Sequence, residues 1–326
     1  MLRKPLGIVA CIALIAVGAA SLARADEDIA DPEVAAALHD CVTQAFDSVA
    51  ADRQFESCSV VIGHTELNPA QRSVAFAWRG WIESVRKDLP KAMADFDSSL
   101  DLDRNYVWAL AARATSLVNS GKSDQAIPDY DRAIELRPDD PRLLVGRGVA
   151  YGDLKQYDLG LADFDRALAV APTDEEAMSY RALTLAHKHD FAGAIKGYDQ
   201  ALAVATKLRG VILSKRCAAK VQSGDLDGGM VDCKAALEID PGNADFLSSR
   251  GYAYLKMKNL TLAFADFDDA VRLDPGDPYA LYARGVAWIY LGQEKRGRED
   301  ISAAERLKPG IGAELAVVDI AVPSNP

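Results

Sequence analysis

Five prolines divide most of this 326-residue chain at a fixed stride, and the stride limits what the chain can fold into. Pro138, Pro172, Pro241, Pro275 and Pro309 lie 34, 69, 34 and 34 residues apart, a 34-residue period with one extra residue in the double step. Each closes a similar segment: YDRAIELRP, FDRALAVAP, CKAALEIDP, FDDAVRLDP and ISAAERLKP. Proline lacks the amide hydrogen and clashes with the preceding turn, so each one marks a helix end. Within a period, two segments of about 12 to 14 residues carry apolar side chains at helical spacing and flank a polar turn, as at Asn119–Lys122 or Gln222–Asp225. The unit is therefore a helix hairpin. A lone hairpin leaves its apolar face in water, so neighbouring units must stack into a shared core.

Superposing the periods exposes recurrent positions. A bulky residue early in the first helix is Phe76, Leu110, Leu144, Met178, Leu213, Leu247 or Leu281. Four residues later comes Gly80, Ala114, Gly148, Ala182, Cys217, Gly251 or Gly285. An aromatic in the second helix is Phe96, Tyr130, Phe164, Tyr198 or Phe267, with Cys233 and Ile301 as departures. This pattern resembles the tetratricopeptide repeat family. The resemblance implies an all-α fold, a right-handed superhelical solenoid of stacked antiparallel helix hairpins, with about eight repeats. Seven units are expected over residues 73–309 and a degenerate hairpin repeat over 26–72. Residues 310–326 fall outside the pattern and are a possible cap, since the end of a stack needs covering.

An arginine precedes the small residue in all seven units: Arg79, Arg113, Arg147, Arg181, Arg216, Arg250 and Arg284. Sixteen residues after each stands Asp95, Asp129, Asp163, Gly197, Asp232, Asp266 or Asp300. Residues equidistant from a hairpin turn face one another, because both helices rise 1.5 Å per residue. At 100° per residue the arginine lies on the core side of the first helix, where a charge is costly unless paired. An arginine fork meets a carboxylate with two hydrogen bonds, so the expectation is a ladder of structural ion pairs that sets helix register. Arg181 is the exception. Gly197 offers it no carboxylate and only Asp199 could substitute, which makes Arg181 the one ladder arginine expected to contact a ligand.

The same geometry applies to sulfur. Cys217 and Cys233 are sixteen residues apart and Cys41 and Cys58 seventeen, with midpoints at Asp225 and between Val49 and Ala50. Bridges need α-carbons within about 7 Å, which a hairpin satisfies and distant repeats do not. Pairing Cys41–Cys58 and Cys217–Cys233 follows, provided the compartment is oxidising. The N-terminus points to one: Arg3 and Lys4, an apolar run from Pro5 to Gly18, and Ala23-Arg24-Ala25 before Asp26 read as a signal peptide over residues 1–25. The expected location is periplasmic, with no membrane insertion after cleavage. A lipidated Cys11 or an uncleaved anchor over residues 5–23 are the alternatives. Cleavage removes three positive charges and no negative one, taking the net charge from −11 to −14. That sign disfavours nucleic acid as a partner.

No phosphate-binding glycine loop, HExxH or GxSxG motif is present, and His187 and His189 read as a solvated turn rather than metal ligands. No enzyme activity, metal or cofactor is expected. The family resemblance implies instead that the outward side of the first helices lines a concave groove for a peptide or protein segment. On this chain that side would carry Trp81, Trp108, Val149, Leu183, Val221, Tyr252, Tyr279, Tyr282 and Tyr290, with Trp108, Tyr252 and Tyr282 leading. The expected function is a non-catalytic protein-binding scaffold of the cell envelope. The alternative is a self-associating subunit whose groove holds another copy or its own apolar tail, GAELAVVDIAV.

Overall fold

A computed structural model describes residues 29, 31–43, 48–316 and 320. The signal-peptide segment 1–25 lies outside the described residues. Among those described, every regular element is a helix, and the chain divides into two compact units at Pro172 and Thr173.

The N-terminal unit holds α1 (Pro32–Val42), α2 (Ser48–Gly63), α3 (Pro69–Val85), α4 (Leu89–Leu102), α5 (Val107–Asn119), α6 (Ser123–Leu136), α7 (Pro141–Asp153) and α8 (Tyr157–Val170). The helices pair in order as hairpins, and first helices touch first helices along α1, α3, α5 and α7. Val49 and Ala50 lie inside α2 rather than at the turn expected there. Helix α3 starts at Pro69, capped by Asn68 in a reciprocal bond with Gln71, four residues ahead of the boundary at 73.

The C-terminal unit holds α9 (Glu175–His187), α10 (Phe191–Val204), α11 (Arg209–Ser223), α12 (Leu226–Ile239), α13 (Ala244–Lys256), α14 (Leu260–Leu273), α15 (Pro278–Tyr290), α16 (Glu294–Leu307) and the short α17 (Ile311–Ala316). It repeats the same pairing, and α17 packs on both α15 and α16. The spacing of 69 has a local cause. Residue 206, where a proline would stand, is Thr206 in a four-residue loop, Ala205–Leu208, and the extra residue is taken up in α11 and its turn, α11 having 15 residues where α9 and α13 have 13. The Glu175 carboxylate accepts the backbone N–H groups of Thr206, Lys207 and Leu208 and so ties down that loop.

Two devices recur in the hairpins from α3 onward. The turn places one residue in the left-handed region: Lys87, Gly121, Lys155, His189, Gly224, Lys258 and Gly292. The next residue then bonds back five positions, as in Gln156 N–H to the Tyr151 carbonyl at 2.8 Å, which closes the first helix. The helices meet where the small residue faces the aromatic. A Cβ added at Gly148 would lie 2.7 Å from Phe164, and one at Gly251 would lie 2.8 Å from Phe267. Cys217 and Cys233 occupy this same contact, and both are fully buried.

Candidate protein-binding site

The ladder arginines fill the seam within each hairpin. In six repeats the Nε and Nη2 groups donate to the two oxygens of the aspartate sixteen residues on, at 2.6–2.9 Å: Arg79–Asp95, Arg113–Asp129, Arg147–Asp163, Arg216–Asp232, Arg250–Asp266 and Arg284–Asp300. The Asp163 side chain is 4% exposed and that of Arg147 16%. Hydrogen bonding to Asp163 outweighs burial and holds the Arg147 guanidinium above its ordinary pKa.

The remaining Nη1 group does something the spacing had not indicated. It reaches into the preceding repeat, from Arg113 to Asp97 at 2.5 Å, Arg147 to Asp131 at 2.6 Å, Arg216 to Asp199 at 2.5 Å and Arg284 to Asp268 at 2.9 Å. Each of these arginines therefore staples its own hairpin and ties it to the one before. Asp199, the residue available to Arg181, is committed to Arg216 instead. Arg181 is half-buried and has interactions of its own, so the premise that it stands ready for a ligand is corrected.

One rung departs. The position that holds aspartate at 97, 131, 199 and 268 is Lys234 before Arg250, and among the described residues Arg250 meets no carboxylate of the preceding repeat. Replacing Lys234 by aspartate restores the carboxylate that this position carries in those other repeats. The expected gain is about 0.5–1 kcal/mol, read as a higher urea midpoint in low salt that shrinks at 1 M salt.

The cysteines pair within their hairpins. Cys41 and Cys58 have α-carbons 4.7 Å apart, Cys217 and Cys233 5.4 Å, and in both pairs the sulfurs are at bonding distance.

The groove residues divide. Trp81, Val149 and Tyr279 are half-buried and Tyr290 is 46% exposed. Trp108, Leu183, Val221, Tyr252 and Tyr282 are buried, which corrects the expectation that Trp108, Tyr252 and Tyr282 lead a groove. The cause is packing between adjacent first helices. The Trp108 ring stacks on Trp78 of α3 with centroids 4.6 Å apart, and Tyr252 and Tyr282 join the core shared by α11, α13 and α15. Tyr279 is also engaged: its Oη donates to Glu314 of α17 at 2.8 Å.

Sequence reasoning passed over two groups on the first helices. Glu176, in the first turn of α9, has one carboxylate oxygen out of solvent and without a partner among the described residues. Burial, aided by Asp174 and Glu175, pushes its pKa up to about 7. The other is α17 itself. Leu315 lies 34 residues after Leu281, so the tail continues the bulky first-helix position for half a repeat more. The extension of the period was the available signal. Among the described residues, no group of three or more His, Cys, Asp or Glu side chains is placed to hold a metal ion.

Comparison with known proteins accounts for these features. Residues 114–155 match the family model described as TPR repeat, and residues 146–207 and 232–278 match the one described as tetratricopeptide repeat. The chain carries tetratricopeptide repeats. Among solved structures, a tetratricopeptide repeat protein from Parabacteroides merdae superposes with TM-score 0.65 at 18% identity, covering 83% of this chain and 97% of that one. Yeast Tom70 gives 0.61 at 14% identity, covering 90% of this chain and 64% of that one. The human IFIT1 dimer with m7Gppp-AAAA gives 0.59 at 14% identity, covering 94% and 75%. At these identities the likeness is one of fold. No curated protein sequence matches. Tetratricopeptide repeat proteins are in general non-catalytic scaffolds that bind protein or peptide partners.

Proposed function

We propose that this tetratricopeptide repeat chain is an exported, non-catalytic scaffold of the cell envelope that binds a partner peptide or helix on the first-helix faces of its repeats. What carries the reading is that the repeats do not bury those faces completely: Trp81 and Val149 in the N-terminal unit are half-buried, and Tyr290 in the C-terminal unit is 46% exposed beside Leu291. Side chains with an apolar body and a polar tip are suited to covering an apolar partner segment. Export is supported by the signal-like N-terminus and by two cysteine pairs at bonding distance, which persist in an oxidising compartment. No helix among the described residues is long and apolar enough to cross a membrane. The RNA analogue bound to IFIT1 does not transfer, because a mature chain of net charge −14 repels a phosphate backbone.

Photo-crosslinking residues at positions 81 and 290, in cells that export the chain, test this. Discrete adducts are expected at both positions and not at Ile239, which is 53% exposed on a second helix. Equal labelling at all three, or labelling at 239 alone, defeats the proposal. A second reading, self-association, has one observation in its favour: the tail already lies against Tyr279 and Tyr282.

A further inference from the structure

The last helix, α17, does not sit like the other first helices. Each of those is clasped by its own second helix, whereas α17 has none among the described residues and packs on α15 and α16. Its attachment has two parts. Ile311, Leu315 and Ile320 are buried in the core shared by α13 and α15, and the first two are four residues apart on one helical face. Beside them the Glu314 carboxylate receives the Tyr279 hydroxyl at 2.8 Å and the Lys308 ammonium at 3.0 Å, with Lys308 also over the Tyr279 ring. The chain enters through Gly310, at φ +83°, a conformation that lets it fold back sharply.

Two apolar anchors at helical spacing, with a carboxylate one residue before the second, amount to a recognition pattern: Ile-x-x-Glu-Leu. The surface of α15 and α16 supplies the complement, an apolar floor plus a hydroxyl and an ammonium that both select an anion. We infer that this surface is a binding site for a short amphipathic helix of that pattern, filled in the resting chain by its own helix α17 and Ile320 and open to exchange with the same pattern presented by a partner protein. A tethered segment competes at high effective concentration, so an outside helix binds weakly until the tail is released. The inference rests on the scaffold reading only in taking the partner to be a protein.

The test uses the full mature chain and a fluorescent peptide of residues 309–326. Leu315→Asp in the chain removes an anchor from the resident tail. Peptide anisotropy is expected to show at least tenfold tighter binding to the Leu315→Asp chain than to the unaltered one. Unlabelled peptide should compete, peptide carrying Leu315→Asp should not, and peptide carrying Glu314→Ala should compete several-fold less well. Equal binding to both chains, or none to the variant, overturns the inference. If the variant loses its folded signal and peptide in trans does not restore it, α17 is a fixed part of the stack and the inference falls. If restoration by peptide is seen, the inference stands. In each failing case, crosslinks at positions 81 and 290 leave the scaffold reading in place.

Discussion

Reducing the Cys217–Cys233 bridge is expected to lower the stability of the C-terminal unit by about 3 kcal/mol, as a loop of this size closes that much chain entropy in the unfolded state. Both sulfurs are fully buried, so a reductant meets them only when the hairpin opens. The bridge sits where other repeats set glycine against phenylalanine, and this gives the experiment its control. Cys217→Gly with Cys233→Phe installs the pair seen at Gly148–Phe164 and Gly251–Phe267. The double variant is expected to recover most of the loss, and its C-terminal unit to be indifferent to reductant, the Cys41–Cys58 bridge lying in the N-terminal unit. Urea midpoints of the two proteins, with and without reductant, check this. A reduced parent as stable as the oxidised one would mean that the bridge only replaces the packing of the missing ring.

Asp163→Ala is expected to cost about 2–3 kcal/mol, because it leaves the Arg147 guanidinium in the hairpin seam without the carboxylate that takes two of its hydrogen bonds. The cost falls short of that for a fully isolated charge because Asp131 remains within reach of Nη1. Asp131→Ala makes the contrast. Its side chain is 47% exposed, and its loss should cost about 0.5 kcal/mol. Arg147→Met together with Asp163→Leu should recover most of what the single change loses, since a paired charge can be exchanged for apolar packing at little cost. Hydrogen exchange across α7 and α8 is the better readout, because long repeat arrays need not unfold in one step. Equal losses for the two aspartates would contradict the difference in burial.

The periodic part of this architecture could be read from residues alone. The prolines end each second helix two residues past its last helical position, as at Leu136 before Pro138 and Leu273 before Pro275. The sixteen-residue spacing of arginine and aspartate follows from the rise of two antiparallel helices, which is a property of one hairpin. What lay between hairpins was not legible. Helical angle puts Trp108, Tyr252 and Trp81 on similar sides of their first helices, yet two are buried and one is half-exposed. The difference comes from packing between neighbouring first helices: Trp108 stacks on Trp78 of α3, and Tyr252 joins the core of the C-terminal unit. The second aspartate of each rung was invisible for the same reason. Asp131 and Asp199 serve the arginine of the next repeat, and no count within one hairpin reveals them.

The missing rung at Lys234 bears on how the C-terminal unit comes apart. Elsewhere in that unit the guanidinium of Arg216 or Arg284 must let go of two hairpins before either can separate, so those neighbours yield together. Between the α11–α12 and α13–α14 hairpins no guanidinium among the described residues makes such a bridge, and the Ser214–Ser249 hydrogen bond and apolar packing hold them together. Those two hairpins can therefore part without breaking an ion pair of the ladder, whereas parting at Arg216 or Arg284 breaks one.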